Sequence, residues 1–166
     1  MPLNPTPANR DRYDVGQACR NSHAVNGYEG TMPQFGAAFC PKCGARTLTA
    51  CPGCDAPIRG MYLDVLTTEE WSPAPFCTGC GAPFPWTTAG IAAGRELVAM
   101  LEGLSDDERS ALSASFDDLV RDTPRTGVAA MRVKMALGKV GATGAAALRD
   151  VLVGIATESA KKAMGL

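Results

Sequence analysis

Eight residues in the first half of the chain have side chains that bind soft metal ions. Seven are cysteines, all that the protein has, and the eighth is its one histidine. They form four short pairs: Cys19 and His23, Cys40 and Cys43, Cys51 and Cys54, and Cys77 and Cys80. Two tetrahedral zinc sites need eight ligands, so these residues predict two structural Zn²⁺ ions with no donor left over.

Other chemistries use the same residue types. Disulfides are disfavoured because the number of cysteines is odd and no secretory signal begins the chain. A redox dithiol needs one reactive C-x-x-C pair near a βαβ pattern, whereas this chain has three such pairs and a C-x3-H. An iron–sulfur cluster stays open as an alternative, although the histidine and the wide spacing favour zinc.

The spacing between pairs favours one way of sharing the two metals. The first two pairs are 16 residues apart and the last two are 22 apart, whereas only seven residues separate the middle two. The longer gaps suit a β-hairpin with a chelating turn, or knuckle, at each end, which is the zinc-ribbon arrangement. We therefore favour two consecutive ribbons, and a cross-braced arrangement of alternate pairs stays open.

The ligands require a small β region to position them. We predict a double zinc ribbon over residues 13–86, after a flexible tail over residues 1–12 that is rich in proline. A strand is expected over residues 58–66. Phe35 and Phe39 are expected to cover the sulfurs. Because so short a region cannot bury a large hydrophobic core, the metal ions are expected to take its place.

Residues 87–166 are rich in alanine, leucine, valine and methionine and predict about four helices. A capping box, Ser105 to Glu108, marks the start of the second helix, and residues 145–164 are expected to form the last. The fold class is therefore a small metal-stapled β region, two tandem zinc ribbons, followed by an all-α helical region. Val140 to Ala156 is apolar, but Arg149 and Asp150 lie in its middle and would be costly at a bilayer centre, which disfavours a membrane span.

Charge is balanced overall, with a net charge of −1, so no bulk attraction to nucleic acid follows. Residues 88–122 hold three basic and eight acidic residues, whereas residues 123–166 hold seven basic and two acidic ones. Either the helices complement each other across their interface, or a basic stripe meets an anionic partner. This basic stripe consists of Arg125, Arg132, Lys134 and Lys139.

The order of the motifs resembles a family of uncharacterised bacterial proteins with a double zinc ribbon and a helical tail. Ser22 stands where that family has a glycine before the histidine. The resemblance implies zinc binding and no established activity. It is carried by Cys19 and His23, Phe39–Gly44, Cys51–Cys54, Ile58–Gly60, Cys77–Gly81 and Pro85–Thr87, and by Asp122–Thr126 and Glu158–Lys162 in the tail.

These features together predict a cytoplasmic adaptor that binds a protein partner. Both metal sites are expected to be closed by four protein ligands, and no nucleophile elbow, P-loop or dinucleotide fingerprint is present, so catalysis is not expected. The alternative is a nucleic-acid-binding protein that uses the basic stripe. Homo-oligomers through the helical region are also possible.

Overall fold

A computed structural model describes residues 12–64 and 70–166. The chain divides into two compact units, Met1–Trp86 and Thr87–Leu166, and each is described by itself. The flexible tail predicted for residues 1–12 lies outside the described residues except for its last position. The end of the strand predicted over residues 58–66 also lies outside them.

The first unit contains two small antiparallel sheets. One pairs β1 Tyr13–Val15 with β5 Arg59–Tyr62. The other has the order β3 Ala24–Asn26, β2 Gln17–Cys19 and β4 Thr47–Leu48. A short 3-10 turn follows β3. Each strand has only two to four residues, so backbone pairing alone cannot stabilise this unit.

The apolar core of the first unit is small and includes metal-ligand candidates. Ala18, Ile58, Phe84 and Trp86 are buried in it together with the sulfur-bearing Cys51 and Cys77. The Phe84 and Trp86 rings stack with centroids 4.5 Å apart, and the Trp86 indole N–H donates to a backbone carbonyl. So few apolar side chains bury too little surface to hold the unit unaided.

A buried carboxylate, Asp14 of β1, binds the loop that follows β3. It accepts hydrogen bonds from the backbone N–H groups of Val15, Gly30 and Thr31 and from the Thr31 hydroxyl. Burial raises the pKa of Asp14, but the Thr31 hydroxyl and the three N–H donors together hold that pKa below its ordinary value. The carboxylate therefore stays ionised. It accepts the hydrogen bonds of backbone N–H groups that would otherwise need a carbonyl partner.

The second unit consists of helices around one core. Its buried side chains come from every helix and include Val98, Phe116, Val133, Leu148 and Ala160. The capping box before the second helix is confirmed: Ser105 and Glu108 exchange hydrogen bonds. The helices are α1 Pro85–Met100, whose first two residues belong to the first unit, α2 Asp106–Leu119, α3 Thr126–Leu137, α4 Ala142–Ile155 and α5 Glu158–Met164.

The described residues thus form five helices where we predicted about four. The single helix expected over residues 145–164 is interrupted at Ala156 and Thr157, whose backbones are extended. The Thr157 N–H donates to the Leu119 carbonyl at 2.9 Å, and its hydroxyl caps α5 by accepting from Ala160. These two bonds offset the helical bonds that the break removes.

Arg109 anchors the end of α1, which the sequence did not reveal. Its guanidinium donates to the carbonyls of Val98, Ala99, Leu101 and Leu104 at 2.7–3.3 Å. The last carbonyls of a helix have no partner within the helix, and a cation there also suits the helix dipole. One side chain of α2 therefore fixes the turn between α1 and α2.

Two ion pairs connect acidic α2 with the basic segment around α3. Asp118 pairs with Arg125 at 3.0 Å, and Glu108 pairs with Lys139. Two of the four residues of the basic stripe, Arg125 and Lys139, are thus paired with acidic residues inside the helical unit. This agrees with the interpretation that the acidic and basic helices complement each other. Among the described residues, no helix has both the length and the apolar character needed to cross a membrane.

Candidate metal centres

The eight predicted ligands lie in two clusters. Within each cluster the four donor atoms are all within 4.8 Å of one another. The chain therefore brings the pairs together in sequential order, which is the order that the spacing favours. The first cluster contains Cys19, His23, Cys40 and Cys43, and the second contains Cys51, Cys54, Cys77 and Cys80.

The distances between sulfurs match a single tetrahedral ion. Cys19 and Cys43 hold their Sγ atoms 3.8 Å apart, and two pairs in the second cluster, Cys51–Cys80 and Cys54–Cys77, are 3.9 and 3.7 Å apart. An ion with four sulfur bonds of about 2.3 Å in tetrahedral geometry separates two sulfurs by about 3.8 Å. A disulfide requires about 2.05 Å, and all seven cysteines are free.

His23 completes the first donor set through Nδ1. This atom lies 3.5 Å from the Sγ atoms of both Cys19 and Cys40. Bonds of about 2.3 Å to sulfur and about 2.0 Å to nitrogen predict about 3.5 Å between the two donors in a tetrahedral site. Ser22 has φ 65°, so the turn before His23 forms without a glycine.

The three C-x2-C knuckles share one backbone structure. The N–H of the first cysteine donates to the carbonyl five residues later at 2.8 Å in each knuckle, and the N–H four residues later donates back at 2.8–2.9 Å. A short antiparallel bridge closes each one, namely Phe39–Arg46, Ala50–Pro57 and Phe76–Pro83. The local sequence thus holds both sulfurs of a pair on one rigid turn.

The position after the second cysteine of each knuckle has a left-handed backbone. Gly44, Asp55 and Gly81 have φ 69°, 58° and 73°. Since only glycine adopts this conformation without strain, we expect Asp55→Gly to stabilise the first unit by about 0.5–1 kcal/mol. Gly44→Ala should destabilise it by about 1 kcal/mol, and nothing lies within 4 Å of the added methyl group.

Urea unfolding of the metal-loaded variants, followed by tryptophan fluorescence, measures both effects. Each variant must first retain the ion content of the parent protein, so that the shift reports backbone conformation alone. A Gly44→Ala variant as stable as the parent would contradict this account of the knuckles.

Hydrogen bonds to sulfur adjust the chemistry of the first cluster. The backbone N–H of Ala45 and the side-chain amide of Asn21 lower the pKa of Cys43 to about 6. The Asn21 amide lies 3.4 Å from that sulfur. Sequence reasoning missed Asn21, although its place between Cys19 and His23 is a signal for such a role. A stabilised thiolate is the form that binds metal.

In the second cluster, four sulfurs lie close together, and their surroundings shift the pKa values of Cys77 and Cys54 in opposite directions. The backbone N–H groups of Cys80 and Gly79 lower the pKa of Cys77 to about 7 despite some burial. For Cys54, the Ala56 N–H lowers the pKa, but the neighbouring sulfurs and burial raise it to about 12. Four adjacent thiols therefore cannot all ionise alone, and a bound metal ion would replace the protons that they otherwise share.

The clusters are only partly shielded from solvent. In each C-x2-C pair the first cysteine is buried and the second is exposed. The expectation that Phe35 and Phe39 cover the sulfurs is wrong: their side chains are 65% and 57% exposed. The Phe39 ring instead packs against the Arg46 guanidinium, 5.6 Å from the ring centroid, because the bridge places these residues opposite each other.

No curated protein and no solved structure is significantly similar to the chain. Residues 12–164 match a family described as uncharacterised proteins conserved in bacteria, DUF2321. The match includes all eight ligand candidates and all five helices. The resemblance to an uncharacterised bacterial family is therefore confirmed, while the description names neither a zinc ribbon nor an activity. On this match the chain belongs to the DUF2321 family of uncharacterised proteins conserved in bacteria.

Proposed function

We propose that the protein is a zinc-binding interaction module in which two structural Zn²⁺ ions hold the first unit in shape and no catalysis takes place. The observation that carries this proposal is that each cluster presents four protein donors at tetrahedral spacing. A structural zinc site has four protein ligands, whereas a catalytic site keeps one position for water or substrate. Both donor sets are complete.

The donor chemistry supports zinc over iron–sulfur clusters. A cluster of several irons distributes its cysteine ligands over several ions, so the sulfurs lie farther apart than around one ion. The observed sulfur separations of 3.7–3.9 Å support one ion in each site. An imidazole and thiolates in a tetrahedral set are typical zinc ligands.

The interaction role is supported by exposed apolar side chains in both units. In the first unit these include Met32, Phe35 and Phe39. In the second, Val128, Met131 and Met135 are more than half exposed along one helix. Apolar side chains grouped on a surface are typical of sites that bind another protein. Metal-held knuckles and a helical unit present these groups on rigid elements.

Replacing His23 tests the metal assignment. We expect the purified protein to contain two zinc ions per chain and His23→Ala to retain one firmly bound ion, because three thiolates alone leave the first site open. His23→Cys is the matched control and should restore two ions. Elemental analysis with thermal unfolding measures both. If His23→Ala keeps two ions with unchanged stability, His23 is not a structural ligand and a site with a bound water becomes the better interpretation.

The alternative, nucleic-acid binding through the basic stripe, has less support. Arg125 and Lys139 already pair with acidic residues, which leaves Arg132 and Lys134 without a salt bridge to any described residue. Two phosphate contacts give weak binding at physiological salt. We expect the protein to elute from heparin below that salt concentration. Tight retention that Arg132→Glu abolishes would favour nucleic acid instead.

A further inference from the structure

Helix α3 leaves an apolar face uncovered within the helical unit. Val128, Met131 and Met135 are 54%, 57% and 62% exposed. Because each residue advances about 100° around a helix, these three side chains lie within about 60° of one another. We call them the α3 stripe. The opposite face of the helix is buried in the core through Ala129, Val133 and Ala136.

A groove continues the α3 stripe towards α2. It is an apolar cavity of about 100 Å³ lined by Leu104, Ala111, Leu112, Met135 and Ala136, with Glu108, Arg132 and Lys139 at its polar edge. Met135 belongs to both the groove and the stripe. The groove and the stripe therefore form one continuous surface, in which the groove is concave and the stripe is raised. Surfaces of this kind bind amphipathic helices.

The unpaired charges beside the α3 stripe have one sign, because Glu108 at the edge of the groove is paired with Lys139. Arg132 lies on one side of the α3 stripe, about 40° beyond Val128, and Lys134 lies on the other side, about 60° beyond Met131. Neither forms a salt bridge within the part of the chain that the structure describes. Helix α3 contains no acidic residue at all. The α3 stripe is therefore flanked by two cations, Arg132 and Lys134, that have no anionic partner among the described residues.

We propose that the α3 stripe and its groove bind an amphipathic helix of a partner protein, in which glutamates or aspartates flank the apolar residues. The inference rests on the proposed interaction role and names the chemistry of the partner. Leucine-like side chains would fill the groove, and the methionines adapt their shape to them. The flanking carboxylates would meet Arg132 and Lys134.

Two other occupants fit the observations less well. A second copy of the chain would bring its own Arg132 and Lys134 to the interface, so cations would face cations, which is unfavourable. An anionic lipid surface suits the cations, but it is flat and leaves the concave groove unfilled. A helix with acidic flanks satisfies both the groove and the charges.

The test uses the full-length, metal-loaded protein and two synthetic helical peptides of about 16 residues, with leucines on one face. One peptide has glutamates beside the leucines and the other has lysines at the same positions. Fluorescence anisotropy should show at least tenfold tighter binding of the glutamate peptide. Met131→Glu and Arg132→Glu should each weaken that binding at least tenfold. Val153→Glu, at an exposed valine of α4, is the matched control and should leave it unchanged.

Each contrary result identifies a different failure. Equal affinity for both peptides, or no binding to either, contradicts the inference, and so does equal weakening by Val153→Glu. Binding to anionic phospholipid vesicles that Met131→Glu abolishes would replace the helix by a lipid surface. A dimer in light scattering that Met131→Glu dissociates would replace it by a second copy. A protein that keeps two ions yet binds no peptide refutes this surface while leaving the zinc proposal intact.

Discussion

Removal of both metal ions by a chelator is expected to unfold the first unit and leave the helical unit folded. The core of the first unit contains few apolar side chains, and two of its buried members are themselves ligand candidates. Structural zinc contributes an apparent binding free energy of about 10–16 kcal/mol in small zinc domains at neutral pH. That exceeds the stability left to a unit this small without the metal.

The two tryptophans make the effect measurable. Trp71 and Trp86 are the only tryptophans, and both belong to the first unit's core. Chelation should therefore change tryptophan fluorescence strongly, whereas the helical far-ultraviolet circular dichroism should remain. Added Zn²⁺ should restore the fluorescence and Mg²⁺ should not. Because the ligands bind metal as thiolates, release should become easier as the pH falls.

Elemental analysis of the metal content per chain is the control for this experiment. Two ions per chain are expected before chelation. One ion or none in carefully purified protein, or unchanged tryptophan fluorescence after complete removal of the metal, would contradict the assignment of both clusters as structural sites.

Phe116→Ala is expected to destabilise the helical unit by about 3–5 kcal/mol. Phe116 is fully buried at the centre of the helical core. Its ring lies so close to α1 that a Cβ placed at Gly94 would be 2.3 Å from it. Truncation therefore leaves a cavity that α1 and α2 cannot fill without moving. Val153→Ala, at an exposed site, is the control and should change stability by less than about 0.5 kcal/mol.

The close approach of the Phe116 ring to Gly94 allows a second, more specific test. Gly94→Ala in the parent should cost about 1–3 kcal/mol because the new methyl group overlaps the ring. In the Phe116→Ala background the same change should cost little, since the space is empty, so the double-mutant cycle should show a coupling. Urea unfolding followed by circular dichroism measures all four proteins. Additive effects would show that the two residues do not touch.

The same variants test whether the units are energetically independent. Phe116→Ala should keep two ions per chain and an unchanged tryptophan spectrum at low urea, because its buried neighbours all belong to the helical unit. Loss of metal on this substitution would mean that the first unit needs the helical unit to fold.

The residues that form the metal clusters were predictable because their geometry is local. A C-x2-C pair is closed by hydrogen bonds that span at most five residues, so three knuckles with the same spacing have the same backbone. The spacing also favoured the sequential pairing, since seven residues between the middle pairs are few for one ribbon, but it left a cross-braced arrangement open. Only the folded chain shows which pairs lie together. The capping box of Ser105 and Glu108 was predictable for the same reason: its two bonds join residues three apart.

Contacts between distant segments decided the rest. The break at Thr157 depends on the Leu119 carbonyl, which is far away in sequence, and Arg109 meets the end of α1 only because α2 folds back on it. The spacing of Val128, Met131 and Met135 places them on one face of α3, but spacing alone does not say whether that face is buried. Packing against α2 and α5 uses the opposite face, and short-range patterns contain no information about which neighbour a helix will have.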